Sequence, residues 1–187
     1  MVFIHQLLFF DENKEHIETY RKILGNILEK NLIFECIKFE DLIASQKIQI
    51  VVSPANSYLS MTGGIDKVYT DMFPGIEDKL RAKTVEKAYA KSGVVYKGTN
   101  FILPVGKAII CETGNSKCHF VMASPTMTTP KDINGTNNVY LCMKAILKKL
   151  SLINVCITIA CPCLGTGIGN LSAKESAKQI KKALIKN

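Results

Sequence analysis

A chain of 187 residues, 47% hydrophobic and 21% charged, is long enough for one domain with a sizeable core. No apolar run reaches the roughly 18 residues that a membrane-spanning helix needs. The opening MVFIHQLLFFDENKEH has no basic leader and no small-residue cleavage site, so it reads as a strand and not as a signal peptide.

Along the chain, VFIHQLLFF (2–10) is the first strand candidate. Residues 13–30 follow as a helix, with Ile17, Tyr20, Leu24, Ile27 and Leu28 at helical spacing. IFECIKF (33–39), a short helix at 41–46 and IQIVVS (48–53) come next. A helix is expected over 76–92, after Pro74-Gly75, and strands at KAIIC (107–111) and CHFVMAS (118–124). Residues 135–150 place Val139, Met143, Ile146 and Leu150 on one helical face. VCITIA (155–160) is the last strand. The last helix, 172–186, starts at Ser172 as N-cap, with Glu175 three residues later to complete a capping box. Several strands are nearly continuous apolar runs, which suits strands covered on both faces. The expectation is a single α/β domain over residues 1–187, a three-layer α/β/α sandwich with a mixed, mostly parallel central sheet.

The seven cysteines, Cys36, Cys111, Cys118, Cys142, Cys156, Cys161 and Cys163, are odd in number and follow no framework. They point to reduced thiols in an intracellular protein, cytoplasmic or, if the chain is viral, in the host cell. Cys161 and Cys163 lack a second Cys/His pair at zinc spacing, and none of His5, His16 and His119 is near them in sequence. They read as small buried hydrophobes, and neither a metal nor a cofactor is expected. The formal charge is +8, and many lysines lie on predicted helices, among them Lys174, Lys178, Lys181, Lys182 and Lys186. A solvated helix face is preferred over weak nucleic-acid binding, because no aromatic residue interleaves with them in sequence.

Two segments carry chemistry. CPCLGTGIGN (161–170) joins a buried strand to a helix, and VVSPANSYLSMTGGID (51–66) has the same strand-then-glycine-loop form. Such turns present backbone N–H groups to an anion. In a doubly wound sheet both would lie at the carboxyl ends of their strands, where ligands sit. Together they suit the two sides of a diphosphate.

SPANSYLSMTGGID resembles the first signature of the macro domain, the ADP-ribose-binding module: N-A-A-N, a short spacer, several glycines, a hydrophobic residue and often Asp. CPCLGTGIGN resembles its second, the diphosphate loop G-T-G-I/V-x-G, about a hundred residues further on. LPVGKAIICETG and HFVMASPTMTTPKDINGTNNVYLCMKAIL are similar to the middle of a branch found in bacteria and large DNA viruses, so the likeness runs from Ile33 to the C-terminus.

The resemblance implies a role for each matching residue. Asn56 matches the last Asn of N-A-A-N, which contacts the distal ribose; its carboxamide both donates and accepts, and Asn is also a good turn former. Asp66, ten positions on, matches the catalytic Asp of the subgroup that hydrolyses ADP-ribose esters; the other reading is a carboxylate that only complements a helix dipole. Gly63 and Gly64 match part of the glycine run. Gly165, Thr166, Gly167, Ile168 and Gly169 match the diphosphate loop. Asp41 falls where the family binds the adenine amino group, or caps the short helix. Four departures stand out: Ser53 and Pro54 replace Asn and Ala of N-A-A-N, Met61 and Thr62 replace two glycines, Glu40 replaces a glycine of the adenine motif, and Gly169-Asn170-Leu171 lacks the usual ribose-packing aromatic. The resemblance implies a binder of ADP-ribose or ADP-ribosylated protein, and a monomer is expected because nothing in the sequence suggests an obligate oligomer. It is either an ADP-ribosyl hydrolase (of protein conjugates or of a derivative such as the 1''-phosphate) or a non-catalytic reader. A binder of another nucleotide or nucleic-acid end is the third reading.

Overall fold

The computed structural model describes residues 5–27, 31–89, 95–97 and 100–186. The N-terminal part runs β1 (Gln6–Asp11), α1 (Lys14–Leu24), β2 (Asn31–Cys36), α2 (Phe39–Ser45) and β3 (Ile48–Ser53). Two helices follow, α3 (Gly64–Met72) and α4 (Ile76–Tyr89), then a small hairpin of β4 (Val95–Lys97) and β5 (Asn100–Ile102). The chain closes with β6 (Ile109–Glu112), β7 (Cys118–Ala123), α5 (Asn138–Leu150), β8 (Thr158–Pro162) and α6 (Ala173–Ile185).

Six strands form one sheet in the order β2-β1-β8-β3-β7-β6, parallel except for the edge pair β6–β7. Alternation along the strands divides the core in two. Leu7, Phe9, Ile50 and Val52 pack with Tyr20 of α1, Met143 and Ile146 of α5, and Ile180 and Leu184 of α6. Leu8, Phe10 and Val51 pack on the other face with Leu42 of α2, Tyr69 of α3 and Leu80 of α4. This is the expected α/β/α sandwich with a mostly parallel sheet. Burial of each such side chain contributes roughly 1.5–3 kcal/mol, so the two half-cores hold the central strands firmly.

The differences from the sequence reading are local. The first strand runs to Asp11, because its pairing with β2 continues past the apolar run to Asp11↔Cys36; residues 1–4 lie outside the described region. Helix α1 stops at Leu24 and α5 starts only at Asn138, after the turn at Gly135. The predicted ends at 28–30 and 90–92 also lie outside the described residues. Helix α3, which the sequence reading entertained only as the alternative role of Asp66, begins where the glycine-rich loop ends; the β4–β5 hairpin, with strands of three residues, was not anticipated. The capping box is half formed. Ser172 Oγ accepts from the Glu175 N–H at 3.2 Å, but the Glu175 carboxylate accepts from Gln179 Nε2 at 3.3 Å.

Candidate functional site

A cavity of about 530 Å³ opens at the carboxyl ends of β1, β3 and β8. The loop after β3 and the loop after β8 form facing walls: a Cβ added to Gly63 would lie 3.9 Å from Ile168 Cδ1. Ile168 stands 57% exposed at the rim.

The first wall is held by its own polar side chains. Asn56 Oδ1 accepts from the N–H groups of Tyr58 (3.0 Å) and Ser60 (3.3 Å), while Nδ2 donates to Ser60 O at 2.9 Å. Asn56 is thus a loop former that also lines the cavity. With both lone pairs of Oδ1 engaged, it has one N–H left for a ligand and no free acceptor. The turn passes through Leu59, buried at φ 56, and Met61 N–H donates to Glu77 Oε2 of α4 at 2.9 Å. Gly63 then caps α3 in extended backbone, and Gly64 takes φ +58, a conformation in which a side chain would be strained.

Asp66 lies in the first turn of α3 and lines the cavity, yet it is only 8% exposed. Ser53 Oγ donates to its Oδ1 at 2.6 Å. Its other oxygen accepts no hydrogen bond among the described residues. Burial raises its pKa to about 7; the Ser53 bond opposes that rise and Glu77 adds to it. It is therefore a carboxyl group divided between its two protonation states at neutral pH.

The second wall presents Gly165, Thr166, Gly167, Ile168 and Gly169 to the cavity. None of these five backbone N–H groups donates to an acceptor among the described residues. The loop is held by other bonds: Leu171 N–H to Gly165 O (3.0 Å), Asn170 N–H to Gly167 O (2.9 Å) and Thr166 Oγ1 to Cys163 O (2.9 Å). Two glycines are sterically required. At Gly165, φ is +74 and a Cβ would come within 2.9 Å of Ile133 Cδ1; at Gly169 it would come within 2.6 Å of Gly165 O. Behind the loop, Asp132 accepts from Asn170 Nδ2 (2.8 Å) and from the Asn134 N–H (2.7 Å). These bonds hold the Asp132 carboxyl below its usual range. On the core side a buried relay supports Leu164: Tyr20 O–H meets Ser176 Oγ, which donates to Leu164 O, each at 2.6 Å.

The remaining lining comes from parts of the chain that the sequence reading did not connect with the site. Phe10, Asp11, Glu12 and His16 (from β1 and the start of α1) join Ile37 and Phe39 at one end. Asn13 caps α1 there, and His16 Nδ1 is 3.0 Å from Asp11 Oδ2. Asp41, by contrast, is exposed in the first turn of α2 and does not line the cavity. An apolar strand followed by Asp-x-Asn was the available signal for the residues it missed. Thr126, Met127 and Pro130 of the loop after β7 complete the lining. Cys163 is part of it too, its thiol held protonated chiefly by burial. No group of three His, Cys, Asp or Glu among the described residues is placed to hold a metal ion, and no helix there is long and apolar enough to cross a membrane.

The architecture is that of an α/β/α domain with two glycine loops facing each other across a cleft at the carboxyl edge of its sheet. The family model described as Macro domain matches residues 52–180, and the chain belongs to that family. Two uncharacterized proteins are 28% identical to it. The one from Aeropyrum pernix aligns over 71% of this chain and 61% of its own length, and the one from Aquifex aeolicus over 73% of each. The chain thus spans less than two thirds of the Aeropyrum relative.

Solved structures share the fold at low identity. The macrodomain of Mycobacterium tuberculosis DarG superposes with a TM-score of 0.56 at 17% identity, over 75% of this chain and 83% of that one. A variant of the Oceanobacillus iheyensis macrodomain with ADPR gives 0.60 at 16%, over 77% and 73%. Thermosipho africanus DarTG in complex with ADP-ribose gives 0.55 at 15%, over 95% of this chain and 50% of that one.

Proposed function

We propose that this domain binds ADP-ribose in the cavity and hydrolyses an ADP-ribosyl bond there. One observation carries the reading: five acceptor-free N–H groups on Gly165 to Gly169 share a cavity with the buried carboxyl of Asp66, whose pKa burial raises. The N–H groups take the pyrophosphate, as glycine loops at strand ends do. Family membership and the ligands named in the Oceanobacillus and Thermosipho structures support the choice of ADP-ribose. Asn56 donates its remaining N–H to the distal ribose. The base lies towards Phe10, Asp11 and Phe39, not at Asp41.

In the reaction, Asp66 acts as general base through its free oxygen. The oxygen of a water molecule bonds to the anomeric carbon, and a water proton passes to Asp66. The bond to the leaving carboxylate breaks, with its electron pair on the departing oxygen. Asp66 then returns the proton to solvent. A positioned base contributes about 10²–10⁴-fold in rate. Calorimetry with ADP-ribose, AMP, ADP and NAD tests the binding half, and ADP-ribose is expected to bind tightest. Release of ADP-ribose from an automodified transferase tests the chemistry. Asp66→Ala loses at least the low end of that factor while affinity changes little. Binding without release by the parent protein makes the domain a reader.

A further inference from the structure

We propose that Glu77, which does not itself line the cavity, is a positioning residue for the site: its side chain fixes the first cleft wall and sets a second negative charge behind Asp66. The role rests on the reading of Asp66 as general base. Within the wall, Tyr58, Leu59 and Ser60 bond back to Asn56. Among the described residues, one hydrogen bond ties residues 58–62 to a part of the chain outside the loop: the Met61 N–H donates to Glu77 Oε2 at 2.9 Å. Met61 is buried and its neighbours Ser60 and Thr62 line the cavity, so this bond sets where the lining residues stand. Glu77 is itself held. It lies in the first turn of α4, and Arg81, one turn on, donates from Nη2 to its other oxygen, Oε1, at 2.6 Å.

The same carboxylate acts on Asp66 through space. Burial opposes ionisation of Asp66 most, the Ser53 hydroxyl favours it, and the charge of Glu77 opposes it again. No other charged group moves Asp66. Tyr69, on the same helix, donates its O–H to Val52 O and stays neutral, chiefly through burial and then through Asp66 itself. Lys67, next to Asp66, is paired with Asp71. Asp11, Glu12, His16 and Cys163 line the cavity from the ends of β1 and β8 and the start of α1. The two effects of Glu77 separate chemically. Glutamine at position 77 keeps an acceptor for the Met61 N–H but carries no charge, and alanine keeps neither.

The test compares Glu77→Gln, Glu77→Ala and Asp78→Asn, with thermal melts to confirm folding; the last removes a charge at an exposed position of the same turn. In Glu77→Gln the Asp66 carboxyl, followed by carbon-13 NMR and assigned with Asp66→Asn, is expected to titrate roughly half a pH unit lower than in the parent. The pH at which hydrolysis switches on moves down with it, while ADP-ribose affinity is unchanged. In Glu77→Ala the same shift comes with faster hydrogen exchange at the Met61 N–H and about fivefold weaker ADP-ribose binding, the size of one lost hydrogen bond. Asp78→Asn leaves all of these as in the parent. An Asp66 that titrates in Glu77→Gln as in the parent, or that shifts equally in Asp78→Asn, would overturn the proposal. So would Met61 exchange as slow as the parent's in Glu77→Ala, or parental ADP-ribose affinity in that variant. The NMR and exchange readings need no substrate: a parent that hydrolyses nothing removes the general-base reading, and these two still decide the role of Glu77.

Discussion

Ser53 Oγ donates a 2.6 Å hydrogen bond to Asp66 Oδ1, joining the last residue of β3 to the first turn of α3. The bond favours the charged carboxylate, against a burial that favours the neutral acid. Removing the hydroxyl leaves burial unopposed. Ser53→Ala is therefore expected to raise the pKa of Asp66 above about 7 and to move the pH at which hydrolysis switches on to higher pH. A pH–rate profile that does not move would rule out this bond as the tuning element.

Asp66 also gives stability a pH dependence. Its folded pKa of about 7 lies above the ordinary 3.8, so between these values the folded chain holds a proton that the unfolded chain has released. Stability contributed by the protonated form is complete below about pH 4, declines as pH rises, and is lost above about pH 7. A three-unit shift corresponds to on the order of 4 kcal/mol. Asp66→Asn keeps an acceptor for Ser53 without the charge. By urea titration it is expected to be more stable than the parent at pH 8 and no more stable near pH 4.

Asn56 makes three bonds within its own loop, so its loss acts on structure before ligand. Asn56→Ala is expected to cost on the order of 1 kcal/mol of stability, because two part-buried N–H groups lose their acceptor. ADP-ribose affinity falls with it. Asn56→Asp keeps both accepted bonds and is expected to lie between parent and alanine in a melt. Unchanged stability of the alanine variant would return Asn56 to a purely ligand-facing role.

The glycines of the second loop separate folding from binding. A Cβ on Gly167 meets nothing within 4 Å, so Gly167→Glu is expected to melt like the parent yet bind no ADP-ribose, because its carboxylate competes for the N–H groups. Gly169→Ala forces a clash with Gly165 O and is expected to lower the melting temperature itself. Tight ADP-ribose binding by folded Gly167→Glu would remove the diphosphate site from this loop.

The residues that carry local signals were readable in the sequence. Apolar runs located the six strands of the sheet, and the two glycine loops indicated a common edge. Gly165 and Gly169 are where they are for steric reasons that a sequence pattern preserves. Asp66 was singled out by its match to the first macro-domain signature and does line the cavity, but its partner Ser53 looked only like a departure from N-A-A-N. What stayed hidden depends on tertiary contact. Asp11 and His16 reach the cavity because β1 pairs with β8, across roughly 150 residues of chain. Asp41 fits a sequence motif, yet the first turn of α2 holds it in solvent. Glu77 meets Met61 across 16 residues of chain.

β8, the last strand along the chain, is also one of the two central strands. It pairs with β1 through Leu7↔Ile159 and with β3 through Val51↔Ala160. Without it nothing joins β2–β1 to β3–β7–β6, and each would keep an unpaired edge of the kind that invites aggregation. The loop with the five free N–H groups hangs from this same strand. The closure of the sheet and the placing of the second cleft wall thus depend on the same strand. A chain stalled before residue 158 has neither, and a nucleotide that binds the finished cleft holds the two ribbons together against unfolding as a whole.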